Sequence, residues 1–457
     1  MAITGVPPDR PRVAVVKRDK VPGGLTLDYS PEDLAIVKEM VQEAVDLATG
    51  GIEHVVFPGD RVVIKPNILF PVAIKWGICT DPRVIEALIM VIRERVKPVQ
   101  VFVAENAAMN SSTMASFDAA GITQAARRAG AVLIPLEHTS VVEVEIPKAK
   151  YWVGDNPKVF RALLDADVVI NVPKMKTHFQ TCNVTLGLKN WNGILPFGPG
   201  RDCCQQQQQG HMVEMDQKFA DLYRAVKPSL TVVDGIIGME GQGPFAGELV
   251  DMNLIIAGTD TVAVDAVAAT IMGFDPLVDI GTTRICHHEG LGVADLARIE
   301  VVGRKVEEVR RPFKRPSWDA VGVYPTVHVY GRGGCPGCLA PIRVVIDYFN
   351  MMGKLELVPP DYLKEAGNLV FLEGKGPFPH PEAVPIGKVF IVGDCVPESV
   401  VETYRKVRPS TFVVRGCAPM HAWIPIADEL AKMMGRTSWP AWTEQFYVTT
   451  TGPAPAG

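Results

Sequence analysis

Between Asn171 and Gly193 the chain reads NVPKMKTHFQTCNVTLGLKNWNG, placing Lys174, Lys176, Thr177, His178, Cys182, Thr185, Lys189 and Asn190 within one stretch. Lysines hold anions and release a proton near neutrality once desolvated, and histidine titrates there unaided. Such a set can bind a carboxylate or phosphate, move a proton and present an amine to a cofactor. His178, Lys189 and Lys176 are the candidate catalytic groups; Lys174, Thr185 and Asn190 are candidate substrate contacts. Gly187 stands close before Lys189 in an apolar setting, which favours a lysine held against a ligand over one free in water. Taken singly, each residue also fits a solvated surface loop.

Other polar groups follow strands. Lys65-Pro66-Asn67 leaves the strand RVVIK with proline fixing a non-helical exit, so Lys65 and Asn67 can grip an anion, or simply form a turn. Glu105-Asn106 ends the next strand. Glu240 lies in a glycine-dense loop, Asp234 to Pro244, which matches neither a P-loop nor G-x-G-x-x-G; it is a further candidate substrate contact. Asp265, inside the small-residue helix AVDAVAA, needs a lysine, histidine or backbone partner if buried. His287-His288-Glu289 points its side chains in different directions on a helix and makes a poor chelate.

Four thiols stand just past strands and just before helices: Cys335 and Cys338 in a C-x-x-C, then Cys395 and Cys417. Helix N-termini favour thiolate, the form that ligates metals. A four-cysteine site is open to a [4Fe-4S] cluster or to zinc; two isolated ligands fit the cluster better than the paired knuckles of a zinc ribbon. A redox dithiol and inert buried thiols remain alternatives.

These groups need a frame. Strand and helix patterns alternate through most of the chain: Val13–Val16, a helix opened by the capping-box pattern Ser30-Pro31-Glu32-Asp33, Arg61–Lys65, a helix capped at Asp81-Pro82, and Val99–Ala104. The rhythm resumes at Asp167–Val172, a long polar loop, a helix near 212–226 and the strand Leu230–Asp234. It spells an α/β protein with mostly parallel sheets, whose ligands sit at the carboxyl ends of the strands. The expected organisation is an N-terminal lobe (1–165) and a second lobe (166–308) with a cleft between them. A linker (309–324), a smaller cysteine-bearing α/β domain (325–440) and a tail (441–457) follow.

The chain has 457 residues, a formal charge of -5 and 21% charged residues without long blocks, which gives no electrostatic footprint for nucleic acid or an anionic membrane. No apolar run is long enough to span a bilayer, and the first residues lack a secretory h-region, so a cytoplasmic location is expected. Nine cysteines are too few for a disulfide scaffold. The expected partners are a small anionic substrate, an electron-transfer protein and a second copy of the chain.

The motifs IKPN (64–67), TDP (80–82), NVPKMKTH, TLGLKNWNG, VVDGIIGMEGQGP and AVDAVAATIMGF, in this order, resemble the domain-of-unknown-function family 362 across about residues 10–305. Relatives in that family often carry iron–sulfur segments, which the resemblance extends to the four cysteines. A weaker likeness is to the nickel-pincer lactate racemases, where a histidine precedes a Gly-Gly-x-Lys whose lysine tethers the cofactor. His178 and Lys189 stand in that order, and His211 corresponds to a further histidine, so the resemblance implies a nickel-type or other organic cofactor at Lys189. The racemases' Asp-x-Thr-Arg is replaced here by Lys65-Pro66-Asn67, and their glycine pair is reduced to Gly187. The leading expectation is an iron–sulfur redox enzyme acting on a small anion. A metal-cofactor isomerase or racemase is the second, and a non-catalytic metal carrier or scaffold the third.

Overall fold

A computed structural model describes residues 10–108, 111–154, 156–179, 183–196, 214–317, 323–331, 336–354, 361–416 and 423–435. The described residues up to Pro316 form one unit and those from Ser317 a second.

In the first unit the strands are β1 (Arg12–Lys17), β2 (Arg61–Pro66), β3 (Gln100–Glu105), β4 (Val132–Pro135), a separate ribbon of β5 (Val141–Glu143) with β6 (Lys158–Phe160), then β7 (Val168–Val172), β8 (Lys174–Thr177), β9 (Val184–Thr185), β10 (Leu230–Glu240), β11 (Glu248–Gly258) and β12 (Glu300–Gly303). The main sheet runs β12-β1-β11-β10-β7-β2-β3-β4, with β8 attached to β10 and β9 to β8. Along that path only β11 is reversed; its neighbours β1 and β10 both pair with it antiparallel, and the other pairs are parallel.

The α/β reading holds, but the two expected lobes do not separate. Strands from 1–165 and from 166–308 interleave in one sheet, with β1 between β11 and β12, and β2 beside β7. Periodicity identifies strands without saying which ones pair, so consecutive βα units were grouped by sequence rather than by sheet. Of the cores that flank the sheet among the described residues, two bear on the site. One gathers β1, β10 and β11 under the helix Thr261–Ile271, the other gathers Val63, Ala104 and Val169 with Trp191 and the helix Met215–Ala225. The helix Thr261–Ile271 is buried at every residue but Thr270, as suits a helix apolar all round. Segment 309–316, read as a linker, belongs to this unit: Val309 and Phe313 join its core, and Phe313 N–H donates to Met272 O at 2.8 Å.

Local signals behave as expected at the helix ends. Ser30 and Asp33 complete a reciprocal capping box, Gly50 closes that helix in the left-handed region, and Asp81 caps the helix Pro82–Arg95.

The second unit holds four parallel strands in the order β13 (Val327–Tyr330), β14 (Asn368–Glu373), β15 (Gly387–Val392), β16 (Phe412–Val414). Val370, Leu372, Val389 and Ile391 pack with Val401 and Tyr404 of the helix Glu398–Val407. No helix among the described residues is long and apolar enough to cross a membrane.

Candidate functional site

The expected polar loop after β7 is instead a strand. Pro173 interrupts β7, and the chain resumes as β8, parallel to β10 with Asp234↔Lys174 and Met239↔Lys176 in register, and antiparallel to β9 with Lys176↔Thr185. Every residue of β8 is buried, both lysines included. Taken singly these lysines also fit a solvated loop, because a charged strand is rare; here the charges have partners supplied from distant segments.

Lys174 Nζ lies 2.8 Å from Asp234 Oδ2, both side chains fully buried. The same oxygen accepts from Asp81 N–H at 2.8 Å. Thr80 Oγ1 donates to Val172 O at 2.9 Å and accepts from Asn67 N–H at 2.7 Å. The motifs IKPN, TDP and NVPKMKTH are therefore one hydrogen-bonded knot at the carboxyl ends of β2 and β7. Lys65, expected to grip a substrate, is also consumed internally: its Nζ donates to Glu105 Oε2 at 2.7 Å and to Asn190 O at 2.8 Å. Burial lowers the Lys65 ammonium and raises the Glu105 carboxyl to about 7, each opposed by the other.

The TLGLKNWNG segment is laid onto these charges. A methyl group at Gly193 would come within 2.4 Å of Glu105 Oε1 and 2.7 Å of Lys65 Nζ, so only glycine lets the turn reach the pair. Asn190 Nδ2 donates to Asn171 Oδ1 at 2.8 Å and Pro66 O at 3.2 Å. Asp265 finds the backbone partners its burial demanded, accepting from Gly187 N–H at 2.7 Å and Leu188 N–H at 2.8 Å. Burial still pushes its carboxyl to about 7.

Lys176 differs from Lys65 and Lys174. Its ammonium meets a backbone carbonyl, Ile78 O, at 2.6 Å, with no carboxylate beside it among the described residues. Burial lowers it to about 7, Lys189 and Lys174 push the same way, and Cys79 opposes. Across the ladder, Thr185 Oγ1 is buried without a hydrogen-bond partner among the described residues, and so is Asn67 Oδ1. His178 is buried against Phe179, ring centroids 5.7 Å apart. Lys189 is half-buried, its Nζ 5.3 Å from the centre of the Phe219 ring. Glu240 faces elsewhere: Arg311 Nη1 and Lys314 N–H donate to its Oε2 at 3.0 and 3.1 Å.

Sequence reasoning missed Lys218, fully buried with its Nζ donating to Asn192 Oδ1 at 2.9 Å, because on an amphipathic helix it reads as one more solvated lysine. It also missed Ile78 and Cys79, which carry no pattern of their own. His211, Cys335 and Cys417 lie outside the described residues. Of the expected four thiols, Cys338 is buried and Cys395 exposed. A methyl group at Gly393, in the loop that carries Cys395, would lie 2.7 Å from Cys338 Sγ. Among the described residues no group of three or more His, Cys, Asp or Glu side chains is arranged to hold a metal.

Residues 62–270 match the model of the family described as Domain of unknown function (DUF362), as the motif resemblance implied. The chain is 28% identical over 231 residues to the Thylakoid-associated protein sll1697 of Synechocystis sp. (strain ATCC 27184 / PCC 6803 / Kazusa), covering 50% of this chain and 67% of that protein. Among solved structures it is similar to the lactate racemase apoprotein of Thermoanaerobacterium thermosaccharolyticum, with 11% identity, a TM-score of 0.39 and coverage of 98% and 92% of the two chains. A Thermotoga maritima protein matches 45% of this chain and 50% of its own, with 12% identity and a TM-score of 0.24.

Proposed function

We propose that the first unit is an enzyme that moves a proton at carbon beside the carboxylate of a small anionic substrate, an isomerase or racemase, with Lys176 as the base. The observation that carries this reading is the pair Lys176 and Thr185. Directly opposed residues of an antiparallel ladder share one face. Here that face presents a desolvated lysine with a single carbonyl partner and a buried hydroxyl with none among the described residues. A lysine lowered to about 7 is a base at neutral pH.

In the forward step the Lys176 lone pair takes the proton from the carbon, and the C–H electron pair spreads into the substrate carboxylate. Thr185 donates to that developing oxyanion, an imidazolium at His178 gives its proton to the carbon, and the reverse turnover runs with the protonated Lys176 as acid and the neutral His178 as base. Lys174, neutralised by Asp234, positions β8 rather than binding substrate; Lys65 with Glu105 does the same for the turn that carries Lys189.

A nickel-type or other organic cofactor would be tethered at the amine of Lys189, in the TLGLKNWNG segment. The Lys189 amine lies 5.3 Å from the centre of the Phe219 ring, and near that ring stands buried Lys218, whose ammonium is lowered well below its ordinary value by burial and by Lys189.

The test is solvent exchange. The protein is incubated in D2O with a panel of small chiral carboxylates, and loss of the proton signal at the carbon beside the carboxylate is followed by NMR. Exchange with wild type and none with Lys176→Met supports the reading; equal exchange by both, or none with any carboxylate, refutes it.

A second reading concerns the second unit, where the Cys338 thiol, in the first turn of the helix Pro336–Lys354, packs at Gly393, two residues before Cys395. Cys335, Cys338, Cys395 and Cys417 would hold a [4Fe-4S] cluster, and the protein would be a redox enzyme fed by an electron-transfer partner. Anaerobically purified protein should then show a broad visible absorbance that bleaches on reduction; colourless protein with stoichiometric zinc would exclude it.

A further inference from the structure

The Lys176 site has no open path to a substrate. Lys176 is 1% exposed and Thr185 3%, so nothing reaches either while every covering segment stays in place. β9 and β10 flank β8 in the sheet and cannot yield without breaking their ladders. A further described segment sits on the Lys176 ammonium: the loop between β2 and the helix Pro82–Arg95, whose Ile78 O stands 2.6 Å from Nζ. No residue from Asn67 to Asp81 is in a strand, so this cover can move with the sheet intact.

The loop is pinned at its neck and packed on itself. Asn67 N–H donates to Thr80 Oγ1 at 2.7 Å and Thr80 N–H to Asn67 O at 2.9 Å, while Thr80 and Asp81 are tied in turn to Val172 and Asp234. Phe70, Val72, Ile74 and Ile78 are buried, and the Cys79 thiol takes a hydrogen bond from the Leu69 backbone across the base of the loop. Ends held together around the loop's own side chains make the Ω-loop form that functional surface loops often take. Its body rests on Phe245 and Leu249, at the turn from β10 into β11. The Phe70 and Phe245 rings meet edge to face with centres 6.1 Å apart, and a methyl group at Gly77 would lie 2.4 Å from Leu249 Cδ2. Leu249 is 46% exposed, so that contact lies at the surface and costs little to break. Trp76 Nε1 is buried with no hydrogen-bond partner among the described residues, and lifting the loop would return this N–H to water.

Building on the isomerase reading, we propose that residues 68–79 are the lid of the Lys176 site and that the Ile78 carbonyl is the resting partner of the base. Lifting the loop then does two things in one movement: it admits the substrate and it breaks the hydrogen bond that occupies Lys176 Nζ. Closed again over a bound substrate, the apolar side chains of the loop exclude water from the carbon that loses its proton. The neck at Asn67 and Thr80 stays with the sheet, so the lid returns to the same place.

The test reads opening directly and needs no turnover. The full chain is pulsed with N-ethylmaleimide under native conditions, and peptide mass spectrometry follows modification at Cys79 and at Cys286, which is buried in the core under the helix Thr261–Ile271 and reports unfolding of the whole unit. Cys79 should react at least about tenfold faster than Cys286. Leu249→Ala, which removes the contact at Gly77, should speed Cys79 about threefold or more and leave Cys286 unchanged, and Phe245→Ala, at the other contact, should do the same. Equal rates at Cys79 and Cys286 in wild type, or a Cys79 rate that neither variant raises relative to Cys286, would overturn the lid. Fast Cys79 labelling with no solvent exchange at any carboxylate sinks the isomerase reading and leaves the lid standing; exchange with Cys79 as slow as Cys286 does the reverse.

Discussion

The most direct test of the Lys176 environment is the pH dependence of stability. Burial moves this lysine from an ordinary 10.5 to about 7, a cost of roughly 5 kcal/mol to the protonated form. Between those values the unfolded chain carries a proton on Lys176 that the folded protein lacks, so stability from this group rises with pH and is fully present only above the unfolded value. Burial also raises the Cys79 and Cys286 thiols, which lowers stability as pH climbs past about 9, so the comparison is made from pH 7 to 9, where lowered Lys65 and Lys218 add a rise common to wild type and variant. Across it the Lys176 contribution should gain about 2 kcal/mol. Lys176→Met keeps the volume and removes the titration, so its stability should lack this rise and at pH 7 should equal or exceed that of wild type. Hydrogen exchange of peptides spanning residues 168–177, analysed as opening free energy at pH 7, 8 and 9, reads the first unit on its own. Parallel wild-type and Lys176→Met profiles, or a loss of more than about 2 kcal/mol in Lys176→Met at pH 7, would refute a desolvated, weakly partnered lysine.

Asp234→Ala should cost about 3–5 kcal/mol by stranding the Lys174 ammonium, and Lys174→Met with Asp234→Ala should cost less than Asp234→Ala alone; denaturant unfolding of both checks this. Gly187→Ala would place a methyl group 2.5 Å from Thr261 Cγ2, and a loss of about 1–3 kcal/mol is expected in thermal melting. Asp265, raised from 3.8 to about 7, contributes stability that is complete below about pH 4 and falls as pH rises to 7. Asp265→Asn should flatten that part of the pH profile, measured by guanidinium unfolding at pH 4, 5.5 and 7. Cys395→Ala should lower bound iron in anaerobically prepared protein if the cluster reading holds, read by iron analysis alongside the visible spectrum.

How much of this was legible depends on the kind of signal. Caps are local, so Ser30, Asp81 and the strand–helix rhythm could be read from neighbours in the chain. The need of Asp265 for a partner followed from burial alone; that the partner would be Gly187 and Leu188 N–H did not, since nothing in sequence links helix 261–271 to residue 187. The lysines show the same limit from the other side. Lys65, Lys174 and Lys176 look alike in sequence, yet one meets Glu105, one Asp234 and one a bare carbonyl. Their partners lie 40, 60 and 98 residues away. Sheet order was hidden for the same reason, because β1 completes its pairing only with strands near the end of the unit.

That last pairing bears on synthesis. β1 forms ladders with Leu254–Gly258 and with Glu300–Gly303, while its own segment is the apolar run Val13-Ala14-Val15-Val16. On the ribosome this strand emerges and finds neither neighbour until some 240 residues more have followed. The first unit therefore cannot close its sheet during most of its own translation. An apolar edge exposed for that long is an aggregation hazard, so nascent chains ending before Gly258 should be the ones that most need a chaperone.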